Sequence, residues 1–305
     1  MPTHLSASVR QRLTNRARER GEDVDLVFIR YALERLLYRL GTSGHWDRFI
    51  LKGALLFILW TGEPYRATRD LDLLGFGERD IEALTTTFRA LCDTPVEEDD
   101  GLEFITESVQ VEPMRDEEGH PGARVRLEAQ LASARLSVQV DIGFGDAVTP
   151  KAEEIESPSL LALPAPRIRA YPRETVVAEK YEAIVSLGML NSRMKDFYDL
   201  WVLASSFPFD GQTLAPAVRV TFDRRGTALP EVTPVGLSDE FAGDRGKQQQ
   251  WQAFQRRGRP ALPPPALPDV VGSIREFLTP LTEALRQGQP FDRQWSEGGS
   301  PGVVT

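Results

Sequence analysis

At 305 residues the chain exceeds one typical domain, so two domains are expected. Hydrophobic residues at 41% and charged residues at 27% describe an ordinary globular chain, and a formal net charge of −9 excludes a general nucleic-acid coat while still allowing a local basic strip. The single cysteine, Cys92, excludes an internal disulfide and fits a reducing cytoplasm, where it reads as a small buried hydrophobe at a helix end.

No apolar run approaches the roughly 18 residues of a membrane span, and residues 1–20 are Arg-rich without the apolar core of a secretory leader. The histidines at 4, 45 and 120 lack a Cys or Glu at metal-ligand spacing, which argues against zinc. The arginines of residues 1–20 predict a helix or arm with a solvated face. Residues 25–40 carry Leu26, Ile29, Leu33, Leu36, Leu37 and Leu40 at helical spacing, and residues 41–44 stop that helix. Residues 49–60 predict a buried strand or turn running into a helix, with Gly53 at the chain reversal.

From Asp70 onward the period changes to two: Asp70 and Asp72 point one way, Leu71 and Leu73 the other. Residues 75–77 end this strand and residues 80–91 predict a helix. Three strand-like runs follow, at 102–112, 123–130 and 136–144, the first two joined by a turn-rich loop at 116–122. In the third run Leu136, Val138, Val140 and Ile142 share one face, which leaves Asp141 on the polar face. Residues 158–172, with four prolines, read as a linker. Beyond it helices are predicted at 174–188, 195–204, 213–221 and 269–287, with a turn-rich polar stretch at 225–250 and, after the last helix, a loose tail that ends in the Gly-rich residues 298–302. The expected domains are therefore residues 1–157, mixed α/β, and residues 158–305, mainly helical.

An Asp-x-Asp on a strand sets two carboxylates about 7 Å apart on one face, where a cation relieves their repulsion. Mg2+ suits such a pair, because it binds through one or two carboxylates and completes its shell with phosphate oxygens. Asp141, in phase on another strand, is a candidate third metal ligand, and two metals could serve both the attacking and the leaving oxygens. Alone, the pair is a weak signal, because solvated strand ends often carry it. Arg66 and Thr68 just before it, and Lys52 beside Gly53 one helix upstream, add the groups that a nucleotide triphosphate needs.

Lys180 lies on the apolar stripe of its helix, between Val176 and Ile184. A snorkelling lysine is the bland reading; one that holds phosphate oxygens or an acidic partner is the functional one. In residues 191–199, Asp196 and Asp199 fall on one helix face at i and i+3, with Arg193 and Lys195 beside them. Asp196 there could simply stabilise a helix N-terminus.

These residues together resemble the AbiEii/AbiGii-type nucleotidyltransferase toxins of type IV toxin–antitoxin systems. The blocks are Leu51-Lys-Gly-Ala54, Arg66-x-Thr68-x-Asp70-Leu-Asp72, Val140-Asp-Ile-Gly-Phe-Gly-Asp146, Ala178-Glu-Lys180 and Arg193-x-Lys195-Asp-Phe-Tyr-Asp-Leu200, followed by a C-terminal helix, Trp295 and a Gly-Gly tail. They follow the family's order over roughly residues 45–300.

The resemblance implies a polymerase-β-like α/β (α+β) fold with a mixed sheet, Asp70 and Asp72 as metal ligands, and Thr68 beside the nucleotide. It further implies Lys180 in phosphate binding or catalysis and Asp196 as an essential acid. Lys52, Gly53, Arg66, Arg193 and Lys195 complete the expected nucleotide-binding set. The expected cofactor is Mg2+ and the expected partners are an NTP, a tRNA acceptor end and a cognate antitoxin protein, with no membrane and a cytoplasmic setting. One departure stands out: Gly53-Ala54 replaces the superfamily's Gly-Ser, so a hydroxyl is missing. Two rival readings remain, a small-molecule nucleotidyltransferase of the antibiotic-modifying kind and a non-catalytic nucleotide-binding regulator.

Overall fold

The computed structural model describes residues 4–115, 121–258, 260–297 and 301–302. Residues 116–120 of the turn-rich loop, including His120, lie outside this set, as does the Gly298–Gly299 pair of the tail. The chain forms two units, one of residues 1–145 with 153–170, the other of residues 146–152 with 171–305.

The first unit opens with α1 (His4–Arg20) and α2 (Val24–Thr42). Asp23 caps α2 by accepting the Leu26 N–H at 3.0 Å, so the expected apolar stripe starts on a satisfied helix end. The stripe is buried from Ile29 to Leu40, but so are Arg35 and Arg39. Both pair with Asp100, Arg35 Nε at 3.1 Å and Arg39 Nη1 at 2.7 Å from its Oδ2, which satisfies charges that could not otherwise be buried.

After β1 (Phe49–Lys52) come α3 (Leu55–Thr61), β2 (Asp70–Gly75) and α4 (Ile81–Cys92), then the strands β3 (Leu102–Arg115), β4 (Pro121–Leu131), β5 (Ala134–Phe144), β6 (Glu153–Glu156) and β7 (Arg167–Ala170). Cys92 ends α4 and is buried, and burial pushes its thiol pKa up to about 12, so it is an inert hydrophobe.

The strands form a seven-stranded sheet in the order β3-β4-β5-β2-β1-β7-β6. Pairs β2–β5 and β1–β7 are parallel and the rest antiparallel, a mixed sheet that makes this an α/β fold. Residues 158–170, expected as part of a linker, belong to the first unit, so the boundary expected at 157/158 falls inside it. β7 pairs with β1 through Leu51 and Ala170, and Ile168 and Ala170 are buried. A four-residue strand between prolines is too short to show a period, so the prolines dominated the sequence pattern.

The second unit contains α5 (Arg173–Leu187), α6 (Met194–Ser206), β8 (Phe209–Asp210), α7 (Gly211–Arg225), α8 (Asp239–Gly243), α9 (Arg245–Gly258), α10 (Leu267–Arg286), β9 (Gln294–Trp295) and β10 (Pro301–Gly302). It is mainly helical, as expected, with a small sheet of β10, β9 and β8. Two expectations fail here. Residues 225–250, read as turns, contain α8 and the start of α9; α9 buries only Lys247 and Trp251, too little apolar surface to show a helical period. The tail is not simply loose, because Trp295 is buried on β9 and meets Phe277 edge-on at 5.0 Å.

Candidate active site

The first centre is built on β2, where alternation does what the period predicts: Leu71 and Leu73 are buried, and Asp70 and Asp72 are half-buried on the opposite face. The register places Lys52 of β1 and Asp141 of β5 on either side of Asp72, and Arg124 of β4 beyond Asp141. A row of Lys52, Asp72, Asp141 and Arg124 thus crosses four strands with cations at both ends.

The turn before α3 closes this face. Gly53 has φ +76°, and a Cβ there would stand 2.0 Å from Asp72 Oδ2. Only glycine accepts both the left-handed backbone and the approach of the carboxylate. Ala54, where the wider superfamily has a serine, is buried and supplies no side-chain cap to α3. Thr68 donates its hydroxyl to the Asp70 backbone carbonyl at 3.2 Å, so it braces the entry to β2. Arg66 is half-buried on the same approach.

Asp141 is held by an arginine that the sequence reading missed. Arg124 Nε lies 2.7 Å from Asp141 Oδ1 and Nη2 2.8 Å from Oδ2, a two-pronged pair. Hydrogen bonding to Asp141 raises the Arg124 pKa further. Among the described residues no three His, Cys, Asp or Glu side chains converge as a preformed metal cluster. Asp70 and Asp72 fit one hard cation, since they offer oxygen donors on one face of β2. The alternation of Arg124 and Arg126 with Val125 and Leu127 was the available signal for Arg124.

The second centre lies within the second unit, on α5 and α6. Lys180 does not snorkel alone: its Nζ is 2.7 Å from Asp196 Oδ1 and 2.9 Å from Asp199 Oδ2. Arg193 Nε is 2.6 Å from Asp196 Oδ2, so two cations meet two carboxylates. The i, i+3 spacing puts both aspartates on one face of α6, as the sequence indicated, and the fold brings one ammonium to that face. Asp196 is fully buried and Lys180 keeps 12% of its side chain exposed. Burial alone would raise the Asp196 pKa, but the charges of Lys180 and Arg193 outweigh it and hold the carboxyl well below the usual range. Lys195 is exposed.

A further ion cluster in this unit was not anticipated. Arg225 joins Glu182 at 2.8 Å and Asp146 at 3.3 Å, and so fixes the end of the Val140–Asp146 block. Residues from α5, α7 and a loop meet there, and no local period could have shown it.

Paired strand carboxylates beside a lysine and a glycine turn define a class that handles nucleotide phosphates. The family model for the nucleotidyl transferase AbiEii toxin, type IV TA system, matches residues 35–273, and the chain belongs to that family. No curated protein matches. Two solved structures are similar at 12% identity: a candidate nucleotidyltransferase from H. pylori, with TM-score 0.47 and coverage of 84% of this chain and 93% of that one, and JHP933 from Helicobacter pylori, with TM-score 0.46 and coverage of 83% and 90%.

Proposed function

We infer that the chain transfers a nucleoside monophosphate from an NTP to an RNA 3′-hydroxyl, the acceptor end of tRNA, and so blocks translation in the cytoplasm until a cognate antitoxin protein neutralises it. The observation that carries this reading is the Asp70–Asp72 pair flanked by Lys52 and closed by Gly53.

In this reading Asp70 and Asp72 hold Mg2+, which supplies positive charge against the triphosphate. Lys52 and Arg66 neutralise phosphate oxygens, and Thr68 keeps the Asp70 backbone in place. The 3′-oxygen bonds to the α-phosphorus, the bond to the β-phosphate oxygen breaks, pyrophosphate leaves, and a carboxylate of the pair takes the hydroxyl proton. Asp141 becomes a third metal ligand only where Arg124 releases it.

Within the second unit, Lys180, Arg193 and the exposed Lys195 are the cations that this reading assigns to phosphate. Asp196 acts as a positioning residue through Lys180. The test incubates purified protein with Mg2+, labelled NTPs and total tRNA, beside Asp70→Ala and Asp72→Ala. Label on tRNA that disappears in both variants is the expected result, and no transfer with any NTP sinks the reading.

The net charge of −9 favours a second reading, a small-molecule acceptor, because RNA prefers a basic surface. Label that passes to a small hydroxyl compound and never to RNA would select it.

A further inference from the structure

Both oxygens of Asp141 are engaged by one side chain: Arg124 Nε donates to Oδ1 at 2.7 Å and Nη2 to Oδ2 at 2.8 Å. The Gln139 amide also lies 3.3 Å from Oδ1 and 3.4 Å from Oδ2. The register sets Asp141 beside Asp72, yet among the described residues Asp70, Asp72 and Asp141 do not converge as a three-ligand set. Arg124 thus occupies the carboxylate that the Asp70–Asp72 pair would need for a second cation.

This ion pair can be exchanged at low cost. Arg124 keeps 30% of its side chain exposed and Asp141 17%, and ion pairs within reach of water contribute little stability. A guanidinium fork fits a phosphate as well as it fits a carboxylate. The place of Arg124 in the four-strand row says which phosphate. Lys52 and the Gly53 turn stand on the β1 side of Asp72, whereas Asp141 and Arg124 stand on the β5 and β4 side. In phosphoryl transfer the attacking and leaving oxygens lie roughly in line through the phosphorus. A triphosphate held at the Lys52 end therefore takes its acceptor hydroxyl from the Arg124 end. The charge of Arg124 is felt there as far as Asp70.

We propose that Arg124 is a gate opened by the acceptor. In the resting chain it occupies Asp141; on acceptor binding it exchanges that carboxylate for the phosphodiester next to the attacking hydroxyl, which frees Asp141 to join Asp70 and Asp72 around a second cation. Arg124 is a positioning residue that acts through Asp141, and the substrate class it selects is a nucleic-acid end rather than an acceptor without phosphate. The proposal rests on the transfer to an RNA 3′-hydroxyl inferred for the chain, and it is tested without any NTP, so that its failure is separate from failure of the tRNA assay.

Mn2+ stands in for Mg2+ and is titrated into the full chain, with free Mn2+ read by electron paramagnetic resonance. The acceptor probe is the dinucleoside monophosphate ApA, with adenosine in parallel. The wild type should take up one Mn2+ readily, and saturating ApA should tighten a second at least about tenfold over adenosine, the scale of one charged hydrogen bond. Arg124→Gln should take up the second ion without any acceptor, and adding Asp141→Asn should abolish it. Arg126→Gln removes the next arginine on the same face of β4, one paired with Glu112, and should behave as the wild type. Melting curves establish that each variant folds; if Arg124→Gln does not, the comparison of ApA with adenosine in the wild type decides. Unchanged Mn2+ uptake in folded Arg124→Gln, an equal gain in Arg126→Gln, or ApA acting no differently from adenosine would overturn the proposal.

Discussion

Asp72 and Asp141 are side by side on parallel strands, yet they answer to different cations: Asp141 is clasped by Arg124, and Asp72 sits under Gly53 and beside Lys52. If the Asp70–Asp72 pair holds the metal, Asp72→Ala should lower nucleotide transfer by at least about a hundredfold, because a bound cation supplies several kcal/mol of charge stabilisation. Its circular dichroism should match the wild type, since Asp72 is only half-buried.

Asp196 presents the contrary case. Asp196→Asn removes one partner of a buried ion pair and should cost about 3–5 kcal/mol in denaturant unfolding. The sign of its pH dependence follows from its depressed pKa. The folded carboxyl stays ionised below the unfolded value of about 3.9, so its stabilisation is complete above that pH and is lost as the pH falls toward the folded pKa. The stability gap between wild type and Asp196→Asn should therefore be constant from pH 7 to about 5 and shrink below about 4. A gap that does not change down to pH 2 would contradict the ionised cluster.

At the scale of elements, the turn from β1 to α3 joins backbone conformation to the site. Gly53→Ala should destabilise by about 1–2 kcal/mol through the left-handed φ and should also push the Asp72 carboxylate aside. Unlike a surface change of equal cost, it should depress nucleotide transfer well beyond its effect on melting temperature. This turn, the alternation of β2 and the phase of β5 were legible in the sequence, since each depends on neighbours within a few residues. β7 and α9 were not. β7 has four residues between prolines and is held by β1; α9 is polar on most of its circumference and is anchored by Trp251, whose Nε1 donates to the Pro265 carbonyl at 3.1 Å.

For the whole molecule, the place where the first unit ends has an experimental consequence. Residues 158–170 complete it: β7 pairs with β1, the Leu160 N–H and Ser159 hydroxyl satisfy the buried Glu34, and the Pro164 carbonyl accepts from Arg35 at 2.8 Å. A fragment of residues 1–157 should leave these buried charges short of partners and lack a cooperative thermal transition, whereas residues 1–170 should melt cooperatively. Equal melting of the two fragments would show that the segment is the linker its prolines suggest.

By itself the sequence determined the elements with a clear period, the Asp-x-Asp face, the glycine at the reversal and the inward set of Lys180, because these follow from spacing along one strand or helix. It could also carry the family resemblance, since the motif blocks keep their order. Only the tertiary structure decided the partners: Arg124 for Asp141, Asp196 and Asp199 for Lys180, Asp100 for two buried arginines of α2, and β1 for β7. A lone charge at a half-buried position is compatible with many neighbours. Which of them it meets is set by the register of strands and the packing of helices far apart in the chain.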